Sequence, residues 1–196
     1  MCAIFGFYLN RELNDNDIKL GRKALGMLAH RGPDNSGLWF NKKDGIFLGH
    51  NRLSIIDTSS KNNQPMIYNE TKLIFNGEIY NFKEIKEKFK DKFSKFKTHG
   101  DTEVLLKLFH YYEKKTFNFL DGMFAFACFK NKKLILAVDH FGEKPLYYAR
   151  CREGIYFSSE AKPLIELLNL SPNRDEKLKM EFMLFGYINS PNTIYK

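Results

Sequence analysis

The stretch that most restricts the fold is GMFAFACFK, residues 122–130, followed after a short NKK by more apolar chain in KKLILAVD. Successive side chains of a strand point to opposite faces. Here both faces are apolar, with Phe124, Phe126 and Cys128 on one and Ala125, Ala127 and Phe129 on the other. Such a strand needs cover on both sides, from a second sheet and from helices. The two runs read as a hairpin. AIFGFYL is another buried strand, KPLYYAR and GIYFSS are two more, and KLIFNGEIYN is a strand entering a turn at Asn76-Gly77, the commonest hairpin dipeptide. GIFLGHNRLSIID suggests two strands meeting near Gly49–Asn51.

Between these runs lie four helical patterns. DNDIKLGRKALGMLAH places Ile18, Gly21, Leu25 and Leu28 on one face, and 83–93 repeats Ile85, Phe89 and Phe93 every four residues. GDTEVLLKLFHYY starts a helix at Asp101 or Thr102, and SEAKPLIELL is a short one. Strands in hairpin-like pairs with helices inserted predict antiparallel α+β layers rather than a doubly wound parallel sheet. No linker is visible before about residue 186, and GYINSPNTIYK carries no clear terminal element.

At 196 residues the chain suits one domain with a sizeable core. No apolar run reaches the roughly 18 residues of a membrane span, and MCAIFGFYL lacks the basic leader and cleavage site of a signal peptide. A cytoplasmic protein is expected. The net charge of +8 raises nucleic acid as a partner, and residues 83–97 hold seven lysines against three acids. The apolar spacing of that segment assigns its lysines to a solvated face. Arginines are few and no nucleic-acid module is recognisable, so no nucleic acid is expected. The three cysteines show no metal-ligand spacing and the five histidines are scattered, so no metal is expected. Cys128 reads as a small buried hydrophobe, and Cys151 as a strand-end residue.

Cys2 is different. Position 2 becomes the amino terminus once Met1 is removed, and would then carry a thiol and a free α-amine together. Around it, seven motifs follow in order: MCAIFG, HRGPD (30–34), RLSIID (52–57), NGEIYN (76–81), GDTE (100–103), FGEKPLYY (141–148) and SSEAK (158–162). Together they resemble the N-terminal glutaminase domain of glutamine-dependent asparagine synthetases. Those enzymes are class II glutamine amidotransferases of the N-terminal-nucleophile hydrolase superfamily. The resemblance implies a four-layer αββα sandwich of two antiparallel sheets, in keeping with the doubly buried strand.

It also implies a chemistry. A carboxamide is split through a thioester if a thiol has a base to take its proton. An α-amine of pKa near 7.7–8 is roughly one-third neutral at pH 7.5, whereas a lysine amine near 10.4 is only ~0.1% neutral. Cys2 would thus be nucleophile and base in one residue. By resemblance, the Asn76 carboxamide and the Gly77 N–H stabilise the oxyanion, where one donor is typically worth about 2.7–4 kcal/mol. Arg52 offers a planar fork for the α-carboxylate of L-glutamine. Backbone groups of Leu53, Ser54, Ile55 and Ile56 line the same pocket, and Asp101, assisted by Glu78, accepts the α-ammonium. Asp101 also fits a helix N-cap. Arg31 and Asp34 are supporting residues, while FGEKPLYY and SSEAK are framework or interdomain surface.

The family usually has glycine where Ala3 stands, and a methyl there would crowd the nucleophile if the backbone needs positive φ. Residues 1–186 are expected to be the glutaminase domain, and 187–196 the start of a connection to an absent synthetase domain. ATP and magnesium belong to that absent half; none is expected in this chain. The ammonia acceptor implied is aspartate. An acceptor of another carboxylate class, an idle glutamine-binding or docking module, and a homodimer stay open.

Overall fold

A computed structural model describes residues 1–93, 95–171, 175–189 and 191–195. Its first half contains β1 (Ala3–Leu9), α1 (Asp15–Met27), β2 (Asn35–Asn41), β3 (Ile46–Arg52), β4 (Met66–Tyr68), β5 (Thr71–Ile79) and α2 (Phe82–Lys88). The second half adds α3 (Thr102–Tyr112), β6 (Gly122–Lys130), β7 (Lys133–Val138), β8 (Tyr147–Cys151), β9 (Gly154–Ser158), α4 (Ala161–Leu168) and α5 (Glu176–Phe185). One sheet runs β2-β3-β1-β9-β8 and the other β4-β5-β6-β7, with every pairing antiparallel.

The two-faced strand β6 explains the layering. Phe124, Phe126 and Cys128 pack with Leu73 and Phe75 against Val104, Leu105, Leu108 and Phe109 of α3. On its other face, Ala125, Ala127 and Phe129 meet Ile4, Ile46, Leu48 and Phe157 of the first sheet. The small alanines sit between the sheets and the large phenylalanines under the helix. The far side of the first sheet, through Phe5, Phe7 and Phe47, packs on Leu25 and Leu28 at the end of α1 and on Leu164 of α4. Helix, sheet, sheet and helix follow one another, as the sequence reading expected. Each fully buried phenylalanine contributes about 1.5–3 kcal/mol.

The expected hairpins β6–β7 and β8–β9 form, the first over Asn131 and Lys132, both at positive φ as a two-residue turn requires. Two expected breaks do not. Residues 46–52 are one strand, β3, which passes straight through Gly49–Asn51. Gly49 is there for helix packing, since a Cβ would lie 2.6 Å from a methyl of Leu25 in α1. Likewise Asn76-Gly77 is no turn but the middle of β5, opposite Ala125 and Phe124.

The helix expected over 83–93 is regular only to Lys88, although Ile85 and Phe93 are buried as its spacing predicts. Its lysines are not all on the wet face. Lys86 lies over the rings of Phe82 and Phe96 and donates to Thr98 O. Helix α5 has no counterpart in the sequence expectation. Its apolar residues, including Met183, Leu184 and Phe185, are contiguous rather than striped, and none is buried.

Candidate active site

The inner faces of the sheets change character toward one end of the sandwich. Along β3 the inward row reads Ile46, Leu48, His50, Arg52; along β5 it reads Ile74, Asn76; along β1 it starts at Cys2, two residues before Ile4. The apolar parts of these rows hold the sheets together, and their polar ends meet in one cleft. Cys2, Arg52, Asn76, Gly77, Glu78 and Asp101 all line this cavity of about 70 Å³, with Leu53, Ile55 and Ile56 at its side. The expected site residues therefore converge, with one exception. Ser54 does not line the cleft, and its N–H is occupied by Asp34 Oδ2 at 2.7 Å.

Cys2 is held at its sulfur and at its carbonyl. Leu53 N–H donates to Sγ at 3.4 Å, Sγ donates back to Leu53 O at 3.5 Å, and Arg31 Nε donates to the Cys2 carbonyl at 3.1 Å. Arg31 is braced by Glu160 at 3.1 Å, and Glu160 also meets His30 at 2.9 Å. This gives SSEAK a part in placing Cys2. Burial pushes the Cys2 thiol above its ordinary pKa, against the Leu53 N–H, the terminal ammonium and the Arg52 charge, which pull it down. Met1 caps the mouth, its Sδ 3.8 Å from Lys144 Nζ. Ala3 has no positive φ; it pairs with Asn51 in the sheet and its methyl is core. The crowding expected of it does not arise.

Arg52 is buried, and three of its five N–H groups are taken by Asp57 O, Ser59 O and Asn63 Oδ1, which leaves two for a ligand. Burial pushes the Asp101 carboxyl upward against the N–H of Ile79, which donates to Oδ2 at 2.9 Å. Asp101 stands at the N-cap position of α3, yet its side chain makes no capping bond. The expected N-cap bond is replaced by support of β5 through Oδ2.

The edge of β5 is the most telling part. In an antiparallel strand the N–H and C=O of a residue share one edge, and the edge alternates along the chain. Strand β4 pairs with β5 only as far as Leu73. Beyond it, Phe75 N–H goes to Gln64 and Ile79 N–H to Asp101. Gly77, between them, directs its N–H to that same edge, beside the cleft. The opposite partner agrees: both backbone groups of Phe124 are engaged by Asp139 rather than by Gly77. Asn76 is 2% exposed and its Nδ2 has no hydrogen-bond partner among the described residues. A buried donor left so costs about 1–3 kcal/mol, a cost commonly found where a ligand completes the bond.

Sequence reasoning missed Asn62, Gln64, Thr102 and Lys144, which also line the cleft. Thr102 and Lys144 belong to the motifs GDTE and FGEKPLYY, and the place of Lys144 depends on a turn knotted by Asp139, whose carboxylate accepts the N–H groups of Phe124, Phe141, Glu143 and Lys144. Cys128 is inert, its thiol pushed up to about 12 by burial, and Cys151 is exposed at a strand end. Among the described residues no group of three or more His, Cys, Asp or Glu could hold a metal ion, and no helix is long and apolar enough to cross a membrane.

A family model described as a glutamine amidotransferase domain matches residues 1–196. The chain is 36% identical over 200 residues to asparagine synthetase [glutamine-hydrolyzing] 1 of Bacillus subtilis, covering 99% of this chain and 31% of that protein. It is 38% identical over 177 residues to asparagine synthetase B [glutamine-hydrolyzing] of Escherichia coli, covering 84% of this chain and 30% of that one. It thus spans about a third of the length of these curated relatives. Among solved structures, glutamine phosphoribosylpyrophosphate amidotransferase from B. subtilis superposes with a TM-score of 0.72 at 22% identity, over 86% of this chain and 44% of that chain. That likeness concerns the fold.

Proposed function

The chain belongs to the glutamine amidotransferase domain family, and from that premise we propose that it is the glutaminase part of an asparagine synthetase. Removal of Met1 turns the nitrogen of Cys2 into a free α-amine beside its own Sγ. The amine takes the thiol proton, directly or through one water, and the thiolate attacks the glutamine carboxamide carbon. The oxyanion is received by Asn76 Nδ2 and Gly77 N–H. The ammonium returns its proton to the departing ammonia, leaving a thioester that water cleaves to glutamate. The two unoccupied N–H groups of Arg52 hold the substrate's α-carboxylate, and Asp101, with Glu78 beside it, accepts the α-ammonium.

The observation that carries this reading is the company kept by the thiol: a buried carboxamide donor without a partner and a half-engaged guanidinium line the same small cleft. Chain processed to begin at Cys2 should convert glutamine to glutamate and ammonia, and Cys2→Ala should abolish the conversion. Equal turnover by the variant refutes the reading.

The ammonia would pass to a synthetase domain that amidates aspartate, where ATP and magnesium would act. We set the boundary at Gly186, the left-handed cap that ends α5, with residues 187–196 leading toward that partner. A hollow of about 970 Å³ between β8, α4 and α5, flanked by the exposed Met183, Leu184 and Phe185, is the surface suited to receive it.

A further inference from the structure

Building on the glutaminase reading, we propose that Gln64 and His50 are positioning residues that aim the Asn76 and Gly77 donors by locking the peptide group between Phe75 and Asn76. Where β4 leaves the edge of β5 bare, the Gln64 carboxamide stands in for a strand. Its Oε1 accepts Phe75 N–H at 2.6 Å and its Nε2 donates to Phe75 O at 3.2 Å. These are the two bonds a neighbouring peptide would make. From the opposite sheet, His50 Nε2 reaches the same oxygen at 3.1 Å. A carbonyl only accepts, so Nε2 carries the proton. Burial pushes His50 down to about 3, which keeps the ring neutral, and its Nδ1 has no partner.

The geometry matters because Phe75 O and Asn76 N–H lie in one planar group. Two donors on that oxygen fix the rotation of the plane. The plane in turn sets where the Asn76 side chain leaves the strand and how the following Gly77 N–H is directed. Gln64 is 6% exposed and His50 fully buried, so water does not compete for these bonds. Neither residue pairs with Arg52 or Asp101, the groups assigned to the substrate's ionic ends. Their effect falls on the donors to the oxyanion.

The test separates positioning from general support. In a Cys151→Ser background, so that alkylation reads Cys2 and not the exposed thiol, Gln64→Leu removes both bonds to Phe75. The expected result is a kcat for glutamine lower by on the order of 10–100-fold, since misplacement by about 1 Å costs that much. KM and the rate of Cys2 alkylation by iodoacetamide, a displacement that forms no oxyanion, stay unchanged. Gln64→Glu keeps the acceptor for Phe75 N–H and loses the donor to Phe75 O. It is expected to fall between wild type and Gln64→Leu, and it carries the test if the leucine variant does not fold. Unchanged kcat in both variants overturns the inference, as does a loss in which KM and alkylation move together with kcat. A wild-type chain that starts at Cys2 and releases no glutamate sinks the glutaminase reading, and this inference with it.

Discussion

A chain that keeps a residue ahead of Cys2 should bind glutamine and fail to hydrolyse it. The perturbation is an N-terminal extension ending at a protease site whose cleavage leaves Cys2 first. With the extension in place the Cys2 nitrogen is a peptide amide, with no proton affinity. Among the described residues the thiol's hydrogen-bond partners are the backbone N–H and C=O of Leu53, neither a base. An ordinary thiol of pKa 8.5 would be about 10% thiolate at pH 7.5, and burial pushes Cys2 above that. The departing ammonia also loses its proton donor. A positioned acid–base group contributes about 10²–10⁴-fold, and here one amine serves both halves of the reaction. The uncleaved chain should therefore be at least ~100-fold slower. Glutamate release by coupled dehydrogenase assay, with intact mass to verify the terminus, reads the effect. In the cleaved form the rate should rise with pH through the α-amine range near 7.7–8. Turnover by the uncleaved chain within a few-fold of the cleaved one would refute the role of the amine.

Two other predictions follow from the geometry. Gly77→Ala places a Cβ 2.2 Å from Met123 O and 2.7 Å from Phe124 Cα, both main-chain atoms that cannot rotate away. Parting β5 from β6 at about 1–3 kcal/mol should lower Tm by roughly 2–12 °C, and a melt within 1 °C of wild type refutes the contact. Asp57 is held down to about 2 by the Ser59 hydroxyl first and by the N–H groups of His99 and Ser59. A carboxyl depressed in the fold stabilises it above the unfolded value near 3.9 and loses that contribution as pH falls toward 2. The difference is worth about 2.5 kcal/mol. Urea titrations at pH 7 and pH 2.5 should show Asp57→Asn losing less on acidification than wild type by about two-thirds of that, or about 1.8 kcal/mol; an identical loss removes the assignment.

What could be read from the residues and what could not divides along the range of the forces involved. The alternation of β6 was enough to call for cover on both faces, because period and burial are written locally. The Asn76-Gly77 pair was misread as a turn for the same reason. Locally it is the strongest hairpin signal, and what overrides it is the pairing of Phe124 with Asp139 and the close contact of Gly77 with the main chain of β6. Gly49 repeats the lesson, its turn signal displaced by the approach of Leu25. Asp101 lines the cleft, but which N–H its carboxylate serves depends on where β4 stops. Gln64 had no signal at all. A lone glutamine has no period, and its partner is fixed only once two strands of unequal length lie side by side. Helix α5 gives no periodic signal because its apolar residues run contiguously through 182–185 instead of forming a stripe, and none is buried.

The place of β1 has a consequence for the order of events on the ribosome. It precedes the other described strands in the chain, yet it sits in the middle of its sheet, and its neighbour on one side comes from residues 154–158. Glu160, just beyond, holds the arginine that grips the Cys2 carbonyl. A nascent chain that ends before residue 154 would lack both: β1 would be left an edge strand and Arg31 would meet the Cys2 carbonyl unbraced, although Leu53 could already meet the sulfur. The surroundings of Cys2 are thus completed only by residues made late in the chain.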